Sequence, residues 1–185
     1  PSVDPSRVLM VYPERFTWEG PSLEGNHRHL LSIGAPVPGI EKVLAEENAV
    51  LLEDLGDVTL QSALASDPSL DRGALYREAI RIILLLQEEG TRTLPADAVA
   101  RQAALDEEKF SWELGHFYEH FVLGFRAAHP AAEEERLFKA FFAWLAASLD
   151  KVPRVLCHRD YQSRNLMLST RRLELIDYEH ASMGP

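Results

Sequence analysis

A single cysteine, Cys157, stands in the chain of 185 residues, and one thiol excludes any disulfide within it. Its place in the apolar run Val155-Leu156-Cys157 predicts a buried, inert thiol rather than a nucleophile. Long hydrophobic runs are missing too. The longest, Ala140-Phe141-Phe142-Ala143-Trp144-Leu145-Ala146-Ala147, falls well short of the ~20 apolar residues that a membrane-spanning helix needs. No charged-then-apolar leader with a cleavage site opens the sequence, so the expected compartment is the cytoplasm. Positive charge is scarce. Nineteen Lys and Arg against 29 Asp and Glu leave a formal net charge of −10, which argues against a nucleic-acid partner, because such binding rests on cationic contacts to phosphates. There is no internal repeat, low-complexity tract or long linker. What is present, 46% hydrophobic and 26% charged residues, is the composition of a folded chain able to bury a core, at a length that suits one domain or two small lobes sharing a face.

The densest chemistry lies near the end, in His158-Arg159-Asp160-Tyr161-Gln162-Ser163-Arg164-Asn165, with Asp177 twelve residues further on. Leu166-Met167-Leu168-Ser169 and Leu173-Glu174-Leu175-Ile176 are apolar runs separated by Thr170-Arg171-Arg172, the pattern of a hairpin with a short polar turn. A turn centred near Arg171 sets Asn165 opposite Ile176 or Asp177. An amide oxygen and a carboxylate then meet at the open end of the hairpin, beside the loop that carries Asp160. Hard oxygen ligands of this kind suit Mg²⁺ completed by water and substrate phosphates. Phosphoryl transfer asks the protein for positioning and charge neutralisation rather than covalent chemistry. In that scheme Asp160 accepts the proton of an attacking hydroxyl, Asn165 and Asp177 hold the metal, and His158 supports the backbone around the metal loop.

The order His-x-Asp-x-x-x-x-Asn, then a hairpin, then Ile-Asp-aromatic, resembles the catalytic and metal loops of the kinase-like superfamily. Asp177-Tyr178-Glu179 and the closing Ala181-Ser182-Met183-Gly184-Pro185 are similar to the aminoglycoside phosphotransferase and choline kinase family. With Leu52-Glu53-Asp54-Leu55-Gly56 upstream, the finer likeness is to its bacterial members that phosphorylate the anomeric hydroxyl of N-acetylmuramate and N-acetylglucosamine. The resemblance implies an α+β, kinase-like two-lobe fold. A partial, β-rich N-lobe over residues 1–55 would end in a hinge, and residues 56–185 would form a partial, mainly helical C-lobe with the catalytic hairpin. It further implies ATP as donor, Mg²⁺ as cofactor, and a small-molecule hydroxyl as acceptor, an amino sugar or an aminoglycoside. Backbone groups near Asp54 and Leu55 would bond the adenine edge, Glu113 would contact the acceptor, and Glu179 would assist the metal through an outer-shell water. Relatives carry a phosphate-binding lysine in the strand that Arg7-Val8-Leu9-Met10-Val11-Tyr12 would form, often paired to a helical glutamate. No lysine stands there, which leaves Arg7 and Arg15 as nearby cations and Glu24 as the helix acid. Since a glycine-rich loop would precede Arg7 and helices would follow Pro185, the chain is expected to be the middle of a longer kinase.

Between these ends the periodicity predicts elements in sequence. Leu23, Leu30, Leu31 and Ile33 give an apolar helix face ended by Gly34 and Pro36; Glu46-Glu47-Asn48 turns a hairpin; Thr59–Ser66 and Leu70–Glu89 are helices, the second stopped by Gly90 and followed by a loop over residues 91–95. Residues 107–128 carry Phe110, Leu114, Phe117, Phe121 and Phe125 at spacings of three to four, expected to face the core, and Pro130 opens the last long helix. His27 and His29, two apart, do not share a helix face and make no metal pair. Two other functions compete. His116, Glu119 and His120 match the His-x-x-Glu-His pattern of one class of zinc metallopeptidases, and the absent lysine and glycine loop suit a non-catalytic binding module on a kinase-like scaffold.

Overall fold

The computed structural model describes residues 6–12, 23–169 and 172–185. Short β-branched and aliphatic runs bounded by turns build a three-stranded antiparallel sheet in the order β1 (Arg7–Val11), β3 (Ala49–Glu53), β2 (Ile40–Leu44). In register, Val8 faces Leu52 and Met10 faces Val50. The predicted Glu46-Glu47-Asn48 turn joins β2 to β3, with Asn48 at φ +52°, a backbone region its short amide side chain tolerates.

Helix α1 (Leu23–Ser32) precedes β2 and ends as expected at Gly34, whose φ of +75° is the left-handed terminus that glycine adopts without Cβ penalty. Its buried face is Asn26, His27 and Leu30, with His29 also inside. Leu31, expected on the apolar face, is half exposed, turned about 100° round the helix from the buried Leu30.

Helix α2 (Leu60–Ser66) starts in a reciprocal capping box between Thr59 and Ser62, and α3 (Arg72–Leu85) starts with the Asp71 carboxylate accepting from Ala74 N. Gly90 does not stop this helix. The chain widens into a π-helical turn, Leu86–Gly90, and continues as α4 (Thr91–Thr93) where a loop was expected. The glycine serves close approach instead: a Cβ there would lie 2.9 Å from Leu156 Cδ2. Two hydrogen bonds tie the turn to its neighbours, from His29 Nε2 to Gly90 O at 2.8 Å and from Leu156 N to Thr91 Oγ1 at 2.7 Å.

After α5 (Val99–Gln102), α6 (Glu107–Phe117) runs into a second π-helical turn, Tyr118–Phe125, and packs against α7 (Ala132–Leu149), which begins two residues after Pro130. The aromatic stripe is not a core face here. Phe117, Phe121 and Phe125 are exposed, and the rings stack on one another and on α7, with Phe117–Phe121 at 5.2 Å and Tyr118–Phe138 at 5.2 Å between centroids.

Two short antiparallel pairs complete the fold: β4 (Val155–Cys157) with β7 (Ser182–Gly184), and β5 (Leu166–Ser169) with β6 (Arg172–Leu175). Arg172, expected in the turn, pairs with Ser169 as a strand residue. The core joins these pairs to the helices through Leu30, Leu60, Leu86, Leu156, Leu173 and Leu175. All six are 2% exposed or less, and each such side chain contributes about 1.5–3 kcal/mol of hydrophobic stabilisation. The β5–β6 hairpin is also pinned from outside, by Leu168 N to Val58 O at 2.8 Å and Leu175 N to Pro36 O at 2.7 Å. Among the described residues no helix is long and apolar enough to cross a membrane.

Candidate active site

The rigid hairpin determines where the chemistry sits. Leu166 pairs with Leu175, so the next position outward sets Asn165 against Ile176, one of the two predicted registers, and Ile176 N donates to Asn165 O at 3.1 Å. Asn165 Nδ2 then stands between two acids: it reaches Asp177 Oδ2 at 3.0 Å, Asp160 Oδ2 at 3.2 Å and Asp160 O at 3.0 Å. The three predicted side chains therefore converge. Asp160 and Asp177 face solvent whereas Asn165 is buried, so the carboxylates are accessible and the amide is fixed. Asp177 holds φ +63°, a left-handed conformation that Asp tolerates better than most residues and that turns its carboxylate back onto the hairpin end.

His158 lies beneath this cluster, 1% exposed, with Nε2 2.9 Å from Ile176 O. A carbonyl only accepts, so Nε2 carries the proton and donates. Burial pushes the imidazole pKa below its ordinary value, against smaller opposing effects of the Ile176 bond and the nearby acids, and Nδ1 has no partner. Neutral His158 thus holds the backbone just before Asp177, as expected of a support. Tyr161 fixes the other side of the loop by donating to Ala79 O at 2.5 Å, and burial pushes its hydroxyl pKa up to about 12.

Three contributors escaped the sequence reading. Gln162 Nε2 lies 3.0 Å from both Asp160 carboxylate oxygens, aiming them. Asn26 of α1, 6% exposed, directs Nδ2 at three carbonyls of the segment after Asp177: Tyr178 O at 3.3 Å, Glu179 O at 3.1 Å and Ala181 O at 3.3 Å. Its neighbour His27, held neutral by burial, shares a hydrogen bond of 2.7 Å between Nδ1 and Tyr178 OH. One helix turn therefore clamps the segment after Asp177. No local pattern marks such an asparagine, because its partners lie 152 to 155 residues away. Removing the amide in Asn26→Ala leaves Tyr178 O its bond from Ala181 N but takes the side-chain donor from Glu179 O and Ala181 O, a loss of about 1–3 kcal/mol; thermal denaturation will read it as a lower Tm.

Three cavities run side by side across this surface. The first, about 310 Å³, is lined by apolar Val8, Pro38, Leu52, Leu55 and Met167 at one end and by Asp177 and Glu179 at the other. Both predicted nucleotide residues, Asp54 and Leu55, border it. Asp54 is held below the usual carboxylate range by the Ser6 hydroxyl and by Gly56 N. A second cavity, about 340 Å³, is bounded by His158, Arg159, Asp160, Asp177 and His180, so Asp177 borders both. The third, about 510 Å³, lies at the start of α6 and shares Arg159 with the second. Among the described residues no Lys or Arg lines the first cavity, while Glu53, Asp54, Asp177 and Glu179 all do. A polyphosphate end reaching that acidic rim needs a cation. The donor set fits Mg²⁺: the accessible Asp177 carboxylate, with the Asn165 amide turned to offer Oδ1 in place of Nδ2, would leave room for water and phosphate oxygens.

The remaining candidates fall elsewhere. Arg7 pairs with Glu41 on β2 rather than lining the nucleotide-sized cavity, and Met10 occupies the cavity side of β1. Arg15 and the Glu24 side chain lie outside the described residues. Glu113 accepts from Arg159 Nη2 at 3.0 Å, which brings it beside the second cavity. His116 and His120 do share a helix face, ring centroids 4.1 Å apart, but among the described residues no group of three or more His, Cys, Asp or Glu is arranged to hold a metal ion, so the zinc centre lacks its ligand set. Cys157 is half-buried rather than fully buried, and burial pushes its thiol pKa up, away from nucleophilic use.

Comparison with known proteins gives a consistent result. A family model described as a phosphotransferase enzyme family matches residues 6–185. Among curated proteins, the chain is similar to an N-acetylmuramate/N-acetylglucosamine kinase of Pseudomonas aeruginosa, 28% identical over 156 residues, covering 84% of this chain and 43% of that protein. It is also similar to the protein of the same name in Pseudomonas putida, 32% identical over 163 residues, covering 85% of this chain and 44% of that protein. A third, from Neisseria meningitidis serogroup B, is 28% identical over 153 residues, covering 80% of this chain and 43% of that protein. The chain thus spans less than half the length of these relatives.

Proposed function

We propose, for a chain that belongs to the phosphotransferase enzyme family, that it carries the phosphoryl-transfer centre of an ATP-dependent small-molecule kinase. The acceptor is the hydroxyl of an amino sugar of the N-acetylmuramate or N-acetylglucosamine kind. The observation that supports this best is the meeting of Asp160, Asn165 and Asp177 at one hairpin end, with Asp177 shared between an apolar cavity and a polar one. In this reading the three-stranded sheet with α1, through residue 55, is the small lobe, and residues 56–185 are the larger one. The nucleotide base lies among Val8, Leu52, Leu55 and Met167, with Asp54 and Leu55 at its edge.

Asp160, aimed by Gln162, accepts the acceptor's hydroxyl proton as the hydroxyl oxygen bonds to the γ-phosphorus and the bond to the β-phosphate oxygen breaks, releasing ADP. Asn165 and Asp177 would hold Mg²⁺, and Glu179 stands behind them for an outer-shell water. Bound there, the metal neutralises charge on the phosphate oxygens. His158 and Asn26 keep the Asp177 turn in place while this happens. Such a reaction belongs where ATP and Mg²⁺ are abundant, in the cytoplasm.

A panel of hydroxyl acceptors tests the proposal: N-acetylmuramate, N-acetylglucosamine, an aminoglycoside and choline, each with Mg-ATP and coupled detection of ADP. The amino sugars are expected to release ADP above the no-acceptor background. ADP release from choline or the aminoglycoside alone would move the acceptor class, and none from any acceptor would remove the kinase function.

A further inference from the structure

Arg159 is an anomaly in this site. It holds φ +73°, a conformation that side-chain-bearing residues rarely adopt and that glycine accepts freely. Yet the position next to Asp160 carries the longest cationic side chain available. Such a backbone persists only where the surroundings fix it, and from it the guanidinium donates to Glu113 Oε1 at 3.0 Å. Among the described residues, Arg159 is also the one shared by the cavity that contains Asp160 and the cavity at the start of α6.

The chemistry of that third cavity is specific. Its lining includes Asp106, Glu108, Lys109, Trp112 and Arg159. The Asp106 carboxylate is committed to capping α6 through Lys109 N at 2.9 Å. Lys109 Nζ rests 4.2 Å from the Trp112 ring centroid, leaving its ammonium on a flexible stem at the cavity wall. Two cations therefore gather beside the reacting end of a chain whose net charge is −10. The group on Arg159 in this structure is itself a carboxylate. At 33% and 43% side-chain exposure, the Arg159–Glu113 pair is reached by water, and pairs of this kind exchange partners at little cost. Glu108 and Asp106 flank the cavity, so a dianion would meet two acids, whereas a monoanion needs only to take the place of one carboxylate on Arg159, the freed Glu113 turning to water.

Resting on the phosphoryl-transfer function proposed above, we infer that Arg159 is the acceptor-specificity residue of this site: it binds a carboxylate on the acceptor in place of Glu113, with Lys109 as the second cation. The third cavity accommodates the acid-bearing substituent while the hydroxyl to be phosphorylated faces Asp160. N-acetylmuramate and N-acetylglucosamine differ by one ether-linked carboxylate and are the probes that isolate this effect.

The full chain and its Arg159→Gly and Glu113→Gln variants are titrated with each sugar in the presence of Mg²⁺ and a non-hydrolysable ATP analogue. The ratio of kcat/KM for the acid sugar to that for the neutral one is measured alongside. Arg159→Gly is expected to lower the acid-to-neutral ratio of affinities by tenfold or more, the loss of a charge-assisted, two-point contact. Glu113→Gln is expected to raise it, since the competing carboxylate is gone. Because glycine relieves the positive φ, the Tm of Arg159→Gly stays at or above that of the parent, which separates lost binding from lost folding. A ratio unchanged within twofold in Arg159→Gly, or failure of the parent to bind either sugar, overturns the inference. Binding that depends on Arg159 without any ADP formed would uphold it and remove the kinase function instead; ADP formed from both sugars with no dependence on Arg159 does the reverse.

Discussion

Asp160→Asn will lower the rate of phosphoryl transfer by about 10²–10⁴-fold, the range associated with loss of a positioned general base, and will leave the protein folded. The carboxylate is exposed, and its partners are the Gln162 and Asn165 amides rather than core groups. Substitution of a surface side chain away from packed features changes stability by roughly 0.5 kcal/mol or less. An amide in place of the carboxylate keeps the shape but takes no proton from a hydroxyl. The informative comparison is kcat for ADP release beside Tm. A variant that retains most of its turnover removes Asp160 from the role of base, whereas one that loses turnover and Tm together shows a structural defect rather than a chemical one.

For Asp177→Asn the expected loss is of metal-nucleotide binding. A ligand that binds only the native state stabilises it in proportion to the logarithm of its saturation, about 2.7 kcal/mol at a hundred times Kd. Mg-ATP should therefore raise the Tm of the parent chain, and Asp177→Asn should abolish that shift at the same concentration. The variant is chosen for its backbone as much as its charge. At φ +63° most residues would add strain, but asparagine enters the left-handed region as readily as aspartate, so the unliganded Tm is expected to stay near that of the parent. Persistence of the shift in this variant would mean that the cation is held elsewhere, with Glu179 the nearest acid along the chain. Turnover should fall by at least ~10²-fold, the order seen when a group that stabilises transition-state charge is removed.

The parts of this site that lie close in sequence were legible in advance. The hairpin, the pairing of Asn165 with Ile176 or Asp177, a bond from His158 to nearby backbone and the approach of Asp177 to the Asp160 loop all follow from runs of alternating apolar residues whose partners are within twenty positions of one another. Short-range turn geometry fixes such contacts before the rest of the fold is known. The helix start at Thr59 was readable in the same way, because a cap bonds to a backbone N–H two or three residues on; that Asp71 and Asp106 cap the next two long helices came from the structure. Misreadings occurred where distant packing overrides a local preference. Gly90 looks like a helix stop and instead admits Leu156 from a strand 66 residues later. The aromatic stripe of α6 has helical spacing, but spacing only says that the rings share a face, not that anything covers it.

The sequence by itself determined the chemistry on offer: two carboxylates, an amide and a supporting imidazole, in an order and at a spacing that a hairpin brings to one end. It also determined that no lysine lies in β1 to meet phosphates. Only the tertiary structure decided that Asn26 and His27 grip the segment after Asp177, that Met10 rather than Arg7 looks into the apolar cavity, and that Arg159 joins Glu113 between two others. These contacts cross 34 to 155 residues of chain, and the reason is physical. A polar side chain finds a distant partner only after hydrophobic burial has brought the elements together, and nothing in its own neighbourhood records which partner that will be.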